Sequence, residues 1–241
     1  MDCRYGLSEA AASATLSPMS ALIHQLRQRL QVYQPVDRWT DQALHKGEAA
    51  VLIAVTEADT PQIILTKRSE RLSSHRGEVA LPGGRLDPAD ASLVHAALRE
   101  SQEEVGLPPE AVQVLGQLDP MVTRFGMKVT PVVGLVPDDI ALTPNPLELD
   151  AVFKVPLEFF LKDQRLRTDI GTIGGHRVRV PCWQYEHYEI WGVTAVILVM
   201  LMNKVYDRGI DTGMEQIERL SDGKWQPQDW RDVEGRKGIT E

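Results

Sequence analysis

Cysteine is almost missing from this chain: Cys3 and Cys182 are the only two in 241 residues. A disulfide scaffold or a zinc cluster needs more cysteines at closer spacing, so the expected compartment is the reducing cytoplasm. Long apolar runs are missing too. The most hydrophobic stretch, Val193 to Met202, is about half the roughly 20 residues that a membrane-spanning helix requires, and no membrane span is expected. Positive charge is in deficit, with 26 Lys and Arg against 34 Asp and Glu and a net charge of -8. Nucleic-acid backbones are held by excess Lys and Arg, so no nucleic-acid partner is expected. A polyanionic substrate would need a local basic patch or metal cations. The opening MDCRYGLSEAAASATLSP carries Asp2, Arg4 and Glu9 in place of a signal-peptide core, which reads as a frayed tail. The six histidines are scattered at no familiar ligand spacing.

What is present is an ordinary globular composition, 43% apolar and 25% charged. Met19, Leu22, Ile23, Leu26, Leu30 and Tyr33 recur at helical spacing behind Ser17 and Pro18, predicting an amphipathic helix that ends before Pro35 and lies on the domain's own surface. Strands are expected at 49–56, 61–68, 111–118, 127–136 and 149–155. A helix is expected from Ala91 to Val105, with Asp90 as its N-cap and Gly106 as its stop. An aromatic-rich hairpin (176–191) precedes a helix apolar almost all round (192–207), buried within the monomer or at a dimer contact. These two features suggest a homodimer. The order of elements predicts an α+β fold, a mixed sheet with helices on its faces. The expected organisation is a tail and helix over 1–40, one domain over 41–207, and a polar tail over 208–241 anchored by Trp225 and Trp230.

In LRESQEEVGL (98–107), Glu100, Glu103 and Glu104 stand at i, i+3 and i+4, three carboxylates on one helical face. A solvated acidic face is one explanation. The loop LPGGRLDPAD (81–90) immediately upstream suggests another, because Gly83 and Gly84 let backbone approach a ligand closely. Hard cations such as Mg²⁺ take carboxylate, water and phosphate oxygens, and a helix with three glutamates answers that demand. Lys67, Arg68, Arg71, Arg76 and Arg85 crowd the same stretch, against Glu70 and Glu78. They read either as a solvated charge run or as contacts to a phosphate-bearing ligand.

These residues resemble the Nudix box, whose second half is matched by Arg99, Glu100, Glu103, Glu104, Gly106 and Leu107. Ser101 replaces an aliphatic residue. Gly84 is followed after five residues by Asp90 in place of Glu, with eight residues rather than seven before Arg99. An upstream pattern resembles the coenzyme A pyrophosphatase subgroup, with Leu65, Thr66, Arg68, Ser69, Gly77, Pro82, Gly83 and Gly84 in register and Ile64, Ser73 and Leu81 departing from it. Similarity extends from Glu48 to about Asp207.

The resemblance implies an α/β/α sandwich and a hydrolase dependent on Mg²⁺ or Mn²⁺, acting on a small nucleotide substrate. Its catalytic set is Glu100, Glu103, Glu104 and Arg99, with Glu148 as the later-loop candidate for general base. Glu100, Glu103, Glu104 and the Gly83 carbonyl are the implied metal ligands. Arg68, Arg76, Gly83 and Gly84 are the implied substrate contacts. Coenzyme A is the implied substrate. ADP-ribose, NADH or a nucleoside triphosphate is the alternative within the fold, and a non-catalytic nucleotide-binding regulator the alternative outside the class.

Overall fold

The computed structural model describes residues 18–40, 45–123, 125–173 and 176–213. Residues 1–17 and 214–241 of the expected end segments, with Cys3, Trp225 and Trp230, lie outside them.

Two strands form the centre of the main sheet. β1 (Glu48–Glu57) and β7 (Lys128–Pro137) run parallel, from Glu48 opposite Lys128 to Glu57 opposite Pro137. Both are apolar on both faces, because a central strand with cover on each side has no wet face. Ile53, Val55, Val133 and Leu135 point to one face, while Ala50, Leu52, Ala54 and Val132 point to the other. β2 (Gln62–Arg68) pairs antiparallel with β1 on one edge and with β8 (Leu149–Pro156) on the other. β5 (Gln113–Gln117) and β6 (Met121–Val122) pair with β7.

The edge of β1 facing β2 divides, and this opens the site. Val55 pairs with Ile63 of β2, whereas Ala49, Ala50 and Val51 pair with Arg85, Gly84 and Gly83 of the short β4 (Gly83–Arg85). At this end β2 instead meets β3 (Val79–Ala80). The Gly-Gly segment is thereby wedged in where β2 leaves β1.

Helix α2 (Leu93–Val105) covers one face through Ala96, Ala97 and Val105. The other face carries α1 (Pro18–Val32), a short α3 (Leu157–Leu161) and α4 (Gly192–Tyr206). This is the expected mixed sheet between helices. Ile23, Leu26 and Leu30 of α1 sit in the same core cluster as α4. The segment after α1 is pinned by the buried Asp119, which accepts from Tyr33 Oη and Val36 N, both at 2.7 Å.

A second sheet of β9 (Arg167–Ile173), β10 (His176–Tyr185) and β11 (Tyr188–Ile190) packs beside α4. Trp183 is fully buried there, and Tyr188 stacks on Phe153 with ring centroids 3.7 Å apart. Helix α4 and this hairpin contribute Trp183, Ile190, Ile197, Leu198 and Leu201 to the core of the chain itself. Ile210 is buried in the same core, and Asn203 holds its N–H and carbonyl at 2.8 and 2.9 Å. No helix among the described residues is long and apolar enough to cross a membrane.

Candidate active site

Helix α2 carries the acidic motif, and its ends explain its placement. Ser92, not Asp90, is the N-cap: its Oγ accepts from His95 N at 3.1 Å. The helix accordingly starts at Leu93 rather than Ala91. Asp90 is drawn away from the helix end by Arg99, a tertiary partner that outcompetes the cap. At the C-terminus Gly106 takes the left-handed conformation, φ 68°. The carbonyls of Glu104 and Val105 accept from Asn145 N (2.8 Å) and Thr143 N (2.9 Å). Those two bonds bring the 143–148 loop, and with it Glu148, to the carboxylate end of the helix.

Ser101, where the motif has an aliphatic residue, faces the core. It is fully buried, with its hydroxyl donating to Ala97 O at 2.6 Å, so the polar atom enters the interior already satisfied.

Gly83 and Gly84 are dictated by contact distances. A Cβ on Gly83 would stand 2.3 Å from Ala50 O, and its φ of 150° is one that side chains rarely adopt. At Gly84 a Cβ would stand 2.3 Å from Glu100 Cδ. The Gly83 N–H donates to Glu104 Oε2 at 3.0 Å.

Glu104 is only 4% exposed. Burial pushes its carboxyl up to about 7, against the lowering pull of the Gly83 N–H and of Arg68, with Glu100 and Glu148 adding repulsion. Burial also raises Glu100, opposed by Arg99, with further repulsion from Glu103 and Glu148. Arg68, at the end of β2, stands 3.8 Å from Glu104 Oε1, and its Nε is buried without a partner. Ser69 N donates to Glu148 O at 2.8 Å, which ties Arg68 and Glu148 to the same corner.

Arg99 joins the loop to the helix. Its Nε and Nη2 grip the buried Asp90 at 3.0 Å each, Nη1 reaches Glu100 and Glu103 at 3.0 Å each, and Nη2 donates to Arg85 O at 3.1 Å. The Arg99 guanidinium holds Asp90 well below the usual carboxylate range, and Asp90 in return raises Arg99. Glu103 therefore lies on Arg99, toward solvent. Arg76 is exposed in the 69–78 loop.

The expected residues thus divide. Gly83, Gly84, Glu100, Glu104 and Arg68 converge, with Glu148 close enough to raise both carboxyls. Glu103 belongs to the Arg99 network. Asp90 as the guanidinium's partner was invisible to helical spacing, because it sits in a loop nine residues before Arg99.

The donor set suits a hard divalent cation: it offers carboxylate oxygens raised chiefly by burial and further by mutual repulsion, and a bound cation would favour their charged forms. Among the described residues no three His, Cys, Asp or Glu side chains are gathered at metal-binding spacing. The protein supplies a carboxylate pair, and further ligands would come from backbone, water and substrate oxygens.

The chain matches the NUDIX domain over residues 46–166. It is 44% identical over 171 residues to a Nudix hydrolase NudL of Cronobacter sakazakii, covering 70% of this chain and 88% of that one. It is 45% identical over 172 residues to the NudL of Salmonella typhimurium, with the same coverage. Neither name specifies a substrate. Among solved structures, a MutT/nudix family protein from Enterococcus faecalis aligns at 18% identity and a TM-score of 0.43, over 80% of this chain and 75% of that one.

Proposed function

This chain belongs to the Nudix hydrolases, enzymes that act on pyrophosphate bonds and generally depend on a divalent metal, and on that footing we propose that it cleaves coenzyme A or an acyl-coenzyme A. The products are 4′-phosphopantetheine, or its acyl form, and adenosine 3′,5′-bisphosphate. The observation that carries the proposal is the pairing of Arg68 with the buried Glu104 beneath Gly83, where the upstream coenzyme A-type pattern and the Nudix box meet in space.

Mg²⁺ or Mn²⁺ is the proposed ion, with Glu100 and Glu104 as its holders and the Gly83 carbonyl as a further ligand, while Glu103, paired with Arg99, supports them from the solvent side. When bound, it neutralises charge on the pyrophosphate oxygens and makes a water more acidic. The chain's own residues do the rest. Arg99, clamped by Asp90, fixes the Glu100 carboxylate and holds Glu103 against the helix. Glu104 is locked by the Gly83 amide so that its second oxygen faces Arg68. Glu148 is the proposed general base, because it lies beside the carboxylate pair on a separate loop and can take a proton from water without leaving the helix short of a ligand. Arg68 contacts the phosphates, its guanidinium being already at the site, with Arg76 as the outer contact.

ADP-ribose is the second reading, favoured by Ser73, which stands where the coenzyme A pattern has an Arg. Product analysis separates the two. Full-length protein with Mg²⁺ is offered coenzyme A, acetyl-coenzyme A, ADP-ribose, NADH and a nucleoside triphosphate, and the products are resolved by chromatography. Coenzyme A is expected to have the highest kcat/KM and to give the two products named. A higher kcat/KM for ADP-ribose or NADH would transfer the substrate assignment to that compound.

A further inference from the structure

The 69–78 loop starts and closes on Arg68, the residue whose guanidinium stands 3.8 Å from Glu104 Oε1. The Arg68 N–H donates to Glu78 O, and its carbonyl accepts from Gly77 N, both at 3.0 Å. The loop's first residues are held as firmly. Ser69 N donates to Glu148 O at 2.8 Å, Glu70 N to Asp150 Oδ2 at 3.2 Å and Arg71 N to Ser69 Oγ at 3.3 Å. Arg71 and Arg76 therefore stand on backbone tied at both ends of the loop to the corner that holds Arg68 and Glu148.

The charges of this loop are not matched within it. Its two carboxylates have other partners, Glu70 at 3.7 Å from Lys67 and Glu78 at 2.8 Å from His75. Arg71 and Arg76 are exposed, and among the described residues neither guanidinium has a hydrogen bond or an ion pair. Arginines elsewhere differ: Arg27, Arg29, Arg165, Arg167 and Arg179 each pair with a carboxylate, as a net charge of -8 makes easy. Arg85 and Arg208 share the lack of a partner, and Arg85 too adjoins the site, next to Gly84. Cationic groups are thus left open where an anionic ligand would arrive.

From this we infer that Arg71 and Arg76 form a second anion site, which selects substrates bearing a phosphate monoester in addition to the pyrophosphate. The inference rests on the proposed pyrophosphate substrate and deepens it. A phosphate monoester carries roughly two negative charges near neutral pH and presents three acceptor oxygens. One such group can engage both guanidiniums in charge-assisted hydrogen bonds, while the pyrophosphate itself is served by Arg68 and the cation. An uncharged sugar hydroxyl uses neither. Ser73, where the coenzyme A-type pattern has an Arg, lies between the two, so the cation missing there is supplied from either side.

Two arms on the full chain separate this inference from the activity. With Mg²⁺, kcat/KM for coenzyme A is expected to exceed that for dephospho-coenzyme A, which lacks only the 3′-phosphate, by about tenfold or more, the scale of a lost hydrogen bond to a charged group. The difference should lie in KM. In the double variant Arg71→Gln, Arg76→Gln the ratio should fall to within twofold, with the thermal midpoint of wild type because both positions are exposed. Calorimetry in chelator, read without turnover, should show the same preference in wild type and its loss in the double variant. Equal affinity of wild type for the two compounds, no binding of coenzyme A, or a double variant that keeps the wild-type ratio would overturn the inference. If calorimetry shows the preference yet neither compound is hydrolysed, the proposed activity fails and the anion site stands. If both are hydrolysed equally well, the activity stands and the anion site fails.

Discussion

The Gly83 amide donates to Glu104 Oε2 at 3.0 Å, and this bond holds a carboxylate in a place where burial opposes its charge. Glu104 is protonated in both states below its ordinary 4.5. From 4.5 to about 7 the unfolded chain gives up a proton that the folded chain keeps, and stability falls as pH rises. Above about 7 both forms are ionised and the loss is complete, on the order of 3 kcal/mol for a group shifted this far. Thermal unfolding of metal-free protein in chelator should therefore show a decline across this window that Glu104→Gln lacks, leaving the variant the more stable at pH 8. The same variant should lose about a thousandfold in hydrolysis, the scale on which removing one electrostatic stabiliser acts. Parallel pH profiles for the two proteins would show that Glu104 keeps its ordinary acidity in the fold.

Gly83 and Gly84 are adjacent but should fail differently. A Cβ on Gly84 meets the far end of the Glu100 side chain, which can swing away, so Gly84→Ala should fold and lose activity. A Cβ on Gly83 meets the Ala50 carbonyl and the Val51 Cα at 2.3 and 2.5 Å, backbone that cannot swing. Gly83→Ala should lower the denaturant midpoint by the equivalent of about 2 kcal/mol or more. Equal midpoints for the two variants would contradict the contact geometry.

Asp90 grips Arg99 through both carboxylate oxygens, and Arg99 in turn holds Glu100 and Glu103. Asp90→Asn keeps the shape and removes the charge. Metal affinity should fall roughly ten- to hundredfold, as when a group supporting a metal ligand is changed. Unchanged affinity in a Mn²⁺ titration would show that Arg99 needs no such anchor.

Much of this site was legible in the sequence because its chemistry is local. Glu100 and Glu104 are one helical turn apart, and Gly83 and Gly84 announce a close approach whatever they approach. The strands at 49–56, 61–68, 127–136 and 149–155 were legible from their apolar runs. Their pairing was not. β1 and β7 lie side by side and parallel although the whole stretch 58–127 intervenes, and no local pattern carries that information. Short elements such as β3, β4, β6 and α3 were missed because their length is set by what they pair with. β9, rich in Arg, Thr and Asp, lacks the apolar run that marks a strand. Asp90 was assigned to the helix end because nothing nearby in sequence shows that Arg99 would claim it. The apolar α4 was legible as a buried helix, and its residues sit in the core of the chain.

The most direct test of the Glu100–Glu104 pair as the cation site is Mn²⁺ binding to wild type and Glu104→Gln, followed by electron paramagnetic resonance in the absence of substrate. Wild type should bind Mn²⁺, and the variant should bind it at least about tenfold more weakly, because one of two carboxylate ligands has lost its charge. Equal Mn²⁺ affinity in the two proteins would contradict the assignment of the metal, and with it the proposed chemistry, to this pair.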